Sequence, residues 1–141
     1  MRALFDVNFL VALFDAGHTH NPRARNWWHA HQDEGWASCP LTQNGLIRVL
    51  SQPSYTAPMT IVDAVEVMRE AIAHSNHAFW PDDISFLDAV HADRIVGHRQ
   101  ITDVYLLALA VKNNARFVTF DRTVALAAVR DAKPENLLVL P

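Results

Sequence analysis

Arg2-Ala3-Leu4-Phe5-Asp6-Val7-Asn8-Phe9-Leu10-Val11-Ala12-Leu13-Phe14 is the stretch on which the fold turns. Arg2 to Asp6 reads as a short buried strand ended by an acid, and Val7 to Phe14 continues apolar at helical spacing. The same alternation recurs along the chain. Asn21-Pro22 reads as a helix start, an N-cap followed by proline, with the helix running Arg23 to His31. Gly35 to Ser38 is a second strand. Pro40 or Thr42 opens a helix through Leu46, Ile47, Val49 and Leu50 that Pro53 closes. Thr60 caps a helix from Ile61 to Ile72, His77 to Trp80 is a third strand, and Asp82 or Asp83 caps a short helix to Val90. Thr102 caps the most apolar helix, Asp103 to Val111. Arg116 to Phe120 and Asn136 to Leu140 are the last strands. Short apolar strands alternating with helices imply a parallel sheet covered on both faces. The expected class is α/β, a three-layer α/β/α sandwich with a mainly parallel central sheet, formed by residues 1–141 as one domain.

The composition narrows the function. The chain has 141 residues, 50% of them hydrophobic and 19% charged, which suits a globular domain with an ordinary core. Its lone cysteine, Cys39, excludes an internal disulfide and fits a reducing compartment. The N-terminus lacks the cleavage site of a secretory signal, and the longest apolar run, Val104 to Val111, is too short for a bilayer. A cytoplasmic protein without membrane association is expected. A net charge of −3 is not that of a typical nucleic-acid binder. Ten of the cations are Arg and two Lys, however, and the planar guanidinium suits phosphate better than an ammonium does.

Three carboxylates carry the chemistry. Open parallel sheets bind ligands beyond the carboxyl ends of their strands. Asp6 ends the first strand and Asp121 follows the strand Arg116 to Phe120, so both belong to that edge. Asp103 lies in the first turn of the helix that feeds the Asp121 strand, and a right-handed crossover brings that turn to the same edge. Converging carboxylates repel, and one of them tends to take up a proton. A helix N-terminus eases Asp103. A hard divalent cation eases all three, and Mg²⁺ or Mn²⁺ prefers oxygen ligands and bridges to phosphate. The chemistry that follows is metal-assisted hydrolysis of a phosphate ester. Any one of these acids could be a helix cap and nothing more. Caps have no reason to share an edge, and that weighs against the simpler reading for all three together.

At these residues the chain resembles a known family. Leu4 to Leu13, with its strand, Asp6-Val7-Asn8 and apolar helix, resembles the opening of PIN domains. Cys39-Pro40-Leu41-Thr42-Gln43-Asn44-Gly45-Leu46-Ile47-Arg48-Val49-Leu50, Gly97 to Ala110 and Phe117-Val118-Thr119-Phe120-Asp121 resemble the later blocks of VapC-type toxins of VapBC toxin–antitoxin pairs. The blocks come in the right order and span nearly the whole chain. The resemblance implies an Mg²⁺-dependent endoribonuclease, with Mn²⁺ an alternative ion, that leaves a 5′-phosphate and a 3′-hydroxyl. It also implies a homodimer inhibited by a small VapB-type antitoxin, and it carries metal ligation onto Asp6, Asp103 and Asp121. The family often has a Glu in the second block where Gln43 stands here. An amide can bond a metal-bound water but brings no charge, which counts against a tightly held second metal and leaves a one-metal site dependent on the three acids.

Other residues have weaker claims. Asn8 and Thr119, near Asp6 and Asp121 in sequence, are candidates to hold a ligand or a water. Arg48 and Arg99 are candidates for RNA phosphates, with surface solubility the ordinary alternative and the preferred one for Arg122. His18-x-His20, His29-x-His31 and His74-x-x-His77 lack the spacing of a helical zinc pair and read as surface or half-buried residues. For His18 and His20, close after the first helix, an approach to the substrate groove is the less favoured reading. Trp27, Trp28, Trp36 and Trp80 read mostly as core, although tryptophans can stack bases. Two rivals remain. A phosphatase or phosphoryl-accepting receiver would want a second Asp at Asn8, or a strand-ending Lys where only Lys133 is available. A PIN-like module that grips RNA or protein without cutting draws support from Gln43 and the acidic net charge.

Overall fold

The computed structural model describes every residue except Ser75, and for His74 the backbone alone. Five strands, β1 (Ala3–Phe5), β2 (Trp36–Ser38), β3 (His77–Phe79), β4 (Arg116–Thr119) and β5 (Leu137–Val139), form one sheet in the order β3-β2-β1-β4-β5. Every pairing is parallel. β1 and β4 are neighbours from distant parts of the chain, with Phe5 opposite Val118. The chain winds outward through β2 and β3, then returns to the other side of β1 with β4. The β1–β4 seam is therefore the switch point where an open parallel sheet leaves a crevice.

The helices are α1 (Val7–Phe14), α2 (Asn21–His31), α3 (Pro40–Ser51), α4 (Ile61–His74), α5 (Phe86–Ala89) and α6 (Ile101–Lys112). Strand side chains alternate between faces. Ala3, Phe5 and Val118 accordingly join the cluster with Phe9, Leu10, Leu46 and Met68 of α1, α3 and α4. Leu4, Ala37 and Phe117 join the opposite cluster with Val104, Leu106, Leu107 and Leu109 of α6. This gives the expected three layers. Trp36 is buried, and Trp27, Trp28 and Trp80 pack on the two clusters. Among the described residues no helix is long and apolar enough to cross a membrane.

Gly45 sets the approach of α3 to α1, because a Cβ there would stand 2.5 Å from Cγ2 of Val7. The helix starts correct three expectations. Asn21 is buried inside the first turn of α2 and is not its cap. Its amide donates instead to the carbonyls of Ala12 (2.9 Å) and Leu13 (3.3 Å), satisfying the last turn of α1. Neither Asp82 nor Asp83 caps α5, whose N-cap is Ser85. Asp82 accepts from the Leu41 N–H at 3.0 Å and from the Tyr105 hydroxyl at 2.8 Å, so it serves the start of α3, while Asp83 pairs with Lys112. Thr102 lies within the first turn of α6, one residue after its start at Ile101. Thr60 does cap α4, accepting from the Asp63 N–H at 3.1 Å.

Candidate active site

Asp6 is the residue at which β1 becomes α1, and its own N–H remains bonded to the Val118 carbonyl at 3.0 Å. The side chain is only 5% exposed. Oδ2 accepts the Thr119 hydroxyl proton at 2.7 Å, and the same hydroxyl accepts the Asp121 N–H at 3.0 Å. Thr119 thus ties the first acid to the backbone of the third across the β1–β4 seam. Asp121 is fixed further by its Oδ1, which accepts from both the N–H and the hydroxyl of Thr123 at 2.7 Å. Asp103, third residue of α6, comes within hydrogen-bonding reach of Asp121.

The electrostatics record this convergence. Burial pushes the Asp103 carboxyl up to about 7, and the charges of Asp6 and Asp121 push the same way, as does its hydrogen bond with Asp121. Burial also raises Asp6, against the pull of the Thr119 hydroxyl and the N–H groups of Val7 and Asn8, with Asp121 adding to the rise. Among the described residues no Lys, Arg or His forms an ion pair with any of the three. Buried acids are ordinarily paired or neutralised.

Among the described residues no three His, Cys, Asp or Glu side chains are already gathered as a metal cage. Asp6 and Asp103 are both pushed toward their neutral forms, and a carboxyl must be ionised to serve as a ligand. Proton and divalent cation are alternative ways to cancel the same repulsion. The donor set suits a hard ion, being oxygen only, charged and open on one side. Mg²⁺ ordinarily takes one or two protein carboxylates and completes its shell with water and phosphate, so a closed cage is not what it requires.

Of the supporting candidates, Thr119 meets these acids through its side chain, and Asn8 meets Asp6 through its backbone N–H. Asn8 is exposed at the start of α1 and lines an open groove of about 510 Å³ beside Asp121. Gln43 is turned elsewhere. Its amide donates to the Ser38 hydroxyl at 2.9 Å, which in turn meets Nε2 of His77 at 2.7 Å. Ser38 is fully buried at the end of β2, and its oxygen needs those partners. Arg48 and Arg99 are exposed on α3 and on the turn before α6, and neither enters an ion pair among the described residues.

The groove also holds His18, His20, Tyr55 and Phe120. The His18-x-His20 pair thus lines the same groove as Asn8 and Asp121. A signal was available: α1 has eight residues, about 12 Å of helix, too short to carry the chain far from the edge where Asp6 starts it. Of the other histidines, His31 stacks on Trp27, His77 is tied to Ser38, and the side chain of His74 lies outside the described residues.

Comparison with known proteins agrees with this geometry. The PIN domain family model matches residues 3–130. The chain is 46% identical over 142 residues to ribonuclease VapC44 of Mycobacterium tuberculosis, covering 99% of this chain and all of that one. It is 43% identical over 140 residues to ribonuclease VapC38 of the same species, covering 98% and 99%. In fold it resembles a chain in the crystal structure of VapBC2 from Rickettsia felis bound to a promoter DNA fragment. That likeness has a TM-score of 0.60 at 10% identity and covers 87% of this chain and 90% of that one. The chain belongs to the PIN domain family.

Proposed function

We propose that this chain is a metal-dependent endoribonuclease, the toxin of a VapBC-type toxin–antitoxin pair, working as a single PIN domain over residues 1–141. The observation that carries the reading is the meeting of Asp6, Asp103 and Asp121 at the β1–β4 switch point without a basic partner. End-to-end similarity to proteins named as VapC ribonucleases supports the substrate class. Asp6, Asp103 and Asp121 would hold Mg²⁺, or Mn²⁺, directly or through water. The bound ion would act as a Lewis acid toward an RNA phosphate and acidify a water for attack on it.

The chain's own residues prepare that site. Thr119 holds the Asp6 carboxylate in one orientation, and Thr123 does the same for Asp121. Asp103 would hold the ion in its ionised form. One of the acids, with Asp121 the best placed toward the groove, orients the attacking water. The expected products carry a 5′-phosphate and a 3′-hydroxyl. The toxin acts in the cytoplasm as a homodimer, and a VapB-type antitoxin silences it by covering the acidic groove. An arginine of the antitoxin would find carboxylates there and compete with the ion.

The reading is tested by incubating the purified, antitoxin-free chain with total cellular RNA in Mg²⁺ or Mn²⁺, beside Asp6→Asn and Asp103→Asn. Metal-dependent cleavage that disappears in both variants is expected. Folded protein that cuts no RNA with either ion would favour the non-cutting binding module, for which the engagement of Gln43 by Ser38 is the supporting observation.

A further inference from the structure

A column of aromatic rings runs from the core to the groove. Trp36, 2% exposed, stacks on Phe5 with ring centres 5.6 Å apart and planes 20° from parallel. Phe5 stacks on Phe9 at 4.4 Å, Phe9 on Phe120 at 5.5 Å, and Phe120 on His20 at 4.9 Å, with planes 24° to 29° apart. The first three rings are buried, while Phe120 and His20 are half-buried and line the groove beside Asp121. The column therefore surfaces one residue before a proposed metal ligand.

The outer end is held rigidly. The loop carrying His20 is pinned by the Asn21 amide on α1, by the Tyr55 hydroxyl on Asp15, and by the His20 N–H on Nδ1 of His18 at 3.0 Å. The guanidinium of Arg23 lies 5.3 Å from the Phe120 ring centre and touches the His20 ring. Arg23 is exposed and has no carboxylate partner among the described residues. A flat ring, an exposed guanidinium and a neighbouring acidic site are the elements of single-strand recognition, in which bases stack on aromatic faces and cations meet the backbone.

We infer that His20, seated on Phe120, is a stacking platform for an unpaired RNA base flanking the scissile phosphate, with Arg23 holding an adjacent phosphate. The inference rests on the nuclease reading and adds to it the residues that would seat one base beside the cut. Phe120 backs the His20 ring from inside and the His18 ring stands 5.5 Å from it with planes 48° apart, so a base on His20 joins an existing group of rings. The platform is a positioning device and takes no part in proton transfer.

The test measures binding apart from cleavage. A fluorescein-labelled single-stranded RNA of about twelve nucleotides, long enough for one stacking site, is titrated by anisotropy in Ca²⁺ while gels show it intact. His20→Ala should raise Kd roughly 5- to 100-fold, the range for loss of one stacked base. His20→Phe should restore most of the affinity, Arg23→Gln should reduce the salt dependence, and Mn²⁺ affinity should stay at the wild-type value in all three. Replacing the stacked base by an abasic nucleotide should abolish the difference between wild type and His20→Ala. Equal Kd for wild type and His20→Ala, or His20→Phe as weak as His20→Ala, would overturn the platform. So would failure of the wild-type chain to bind the strand, or a preference for duplex RNA. Metal-dependent cleavage by wild type alongside any of these outcomes would leave the nuclease reading standing. Binding as expected, with no cleavage in Mg²⁺ or Mn²⁺, would overturn the nuclease reading and with it the placement beside a scissile phosphate, leaving His20 as part of an RNA-binding surface.

Discussion

Two polar clusters lie at the carboxyl edge of the same sheet, one at the β1–β4 seam and one at the β2–β3 seam. At β2–β3, Ser38 accepts from Gln43 and meets His77, and all three groups are neutral and satisfied. Burial, with the Arg2 charge behind it, lowers the His77 pKa, which keeps Nε2 free to accept the Ser38 proton. At β1–β4, Thr119 ties the Asp6 carboxyl to the Asp121 backbone, and the carboxyls of Asp6 and Asp103 are pushed toward protonation. The neutral cluster is built as a lock, with Gln43 and His77 both held on the buried Ser38 oxygen. The acidic cluster is built against its own stability, the ordinary mark of a site that waits for a ligand.

The contrast can be broken from either side. Thr119→Val removes the hydroxyl that holds Asp6 and serves the Asp121 N–H. It should weaken Mn²⁺ binding by roughly 10- to 100-fold, the usual effect of losing a supporting partner at a metal site. Thr119→Ser should recover most of it, as a titration of each variant will show. Ser38→Ala should act in the opposite sense. It strands the Gln43 amide and the His77 nitrogen, costs about 1–3 kcal/mol in urea unfolding, and leaves metal affinity near wild type. Loss of metal binding in Ser38→Ala would mean that the two seams are one functional unit.

The smallest effect sharpens the comparison most. The Asp103 carboxyl titrates near 7 in the fold against an ordinary 3.8. Between those values the folded chain binds more protons than the unfolded one, so stability falls as pH rises through that window. Asparagine carries neither the proton nor the charge. In EDTA, Asp103→Asn should therefore be more stable than wild type at pH 8, by about 1–2 kcal/mol once solvent screening is allowed for. The advantage should shrink as pH falls through the window and vanish below about pH 3, where the wild-type carboxyl is neutral in both states. Denaturation of both proteins across that range checks the sign, and a variant less stable than wild type at pH 8 would refute it.

Much of this organisation is legible in the amino-acid order, because it rests on local pattern. The passage from strand to helix at Asp6, the helix from Pro40 and the strand before Asp121 each follow from runs of apolar residues and their spacing. The shared edge of the three acids then follows from parallel topology. What local pattern leaves open is the direction of a polar side chain at a helix start. Asn21, Asp82 and Thr102 stand where caps stand. Yet Asn21 turns back to α1 and Asp82 reaches Leu41, 41 residues away in sequence, since an unsatisfied group on another element is a competing partner. Gln43 was legible as a departure from the family acid, but its bond to Ser38 depends on how α3 packs over β2. The aromatic column joins rings from five separate elements and has no sequence period at all.

The most direct test is Mn²⁺ binding followed by electron paramagnetic resonance of the free ion, for wild type, Asp6→Asn, Asp103→Asn and Asp121→Asn at pH 8. If the three acids share one ion, wild type binds and each single variant loses at least about tenfold in affinity. Affinity that stays at the wild-type level in all three variants would place the ion elsewhere and contradict the acidic site.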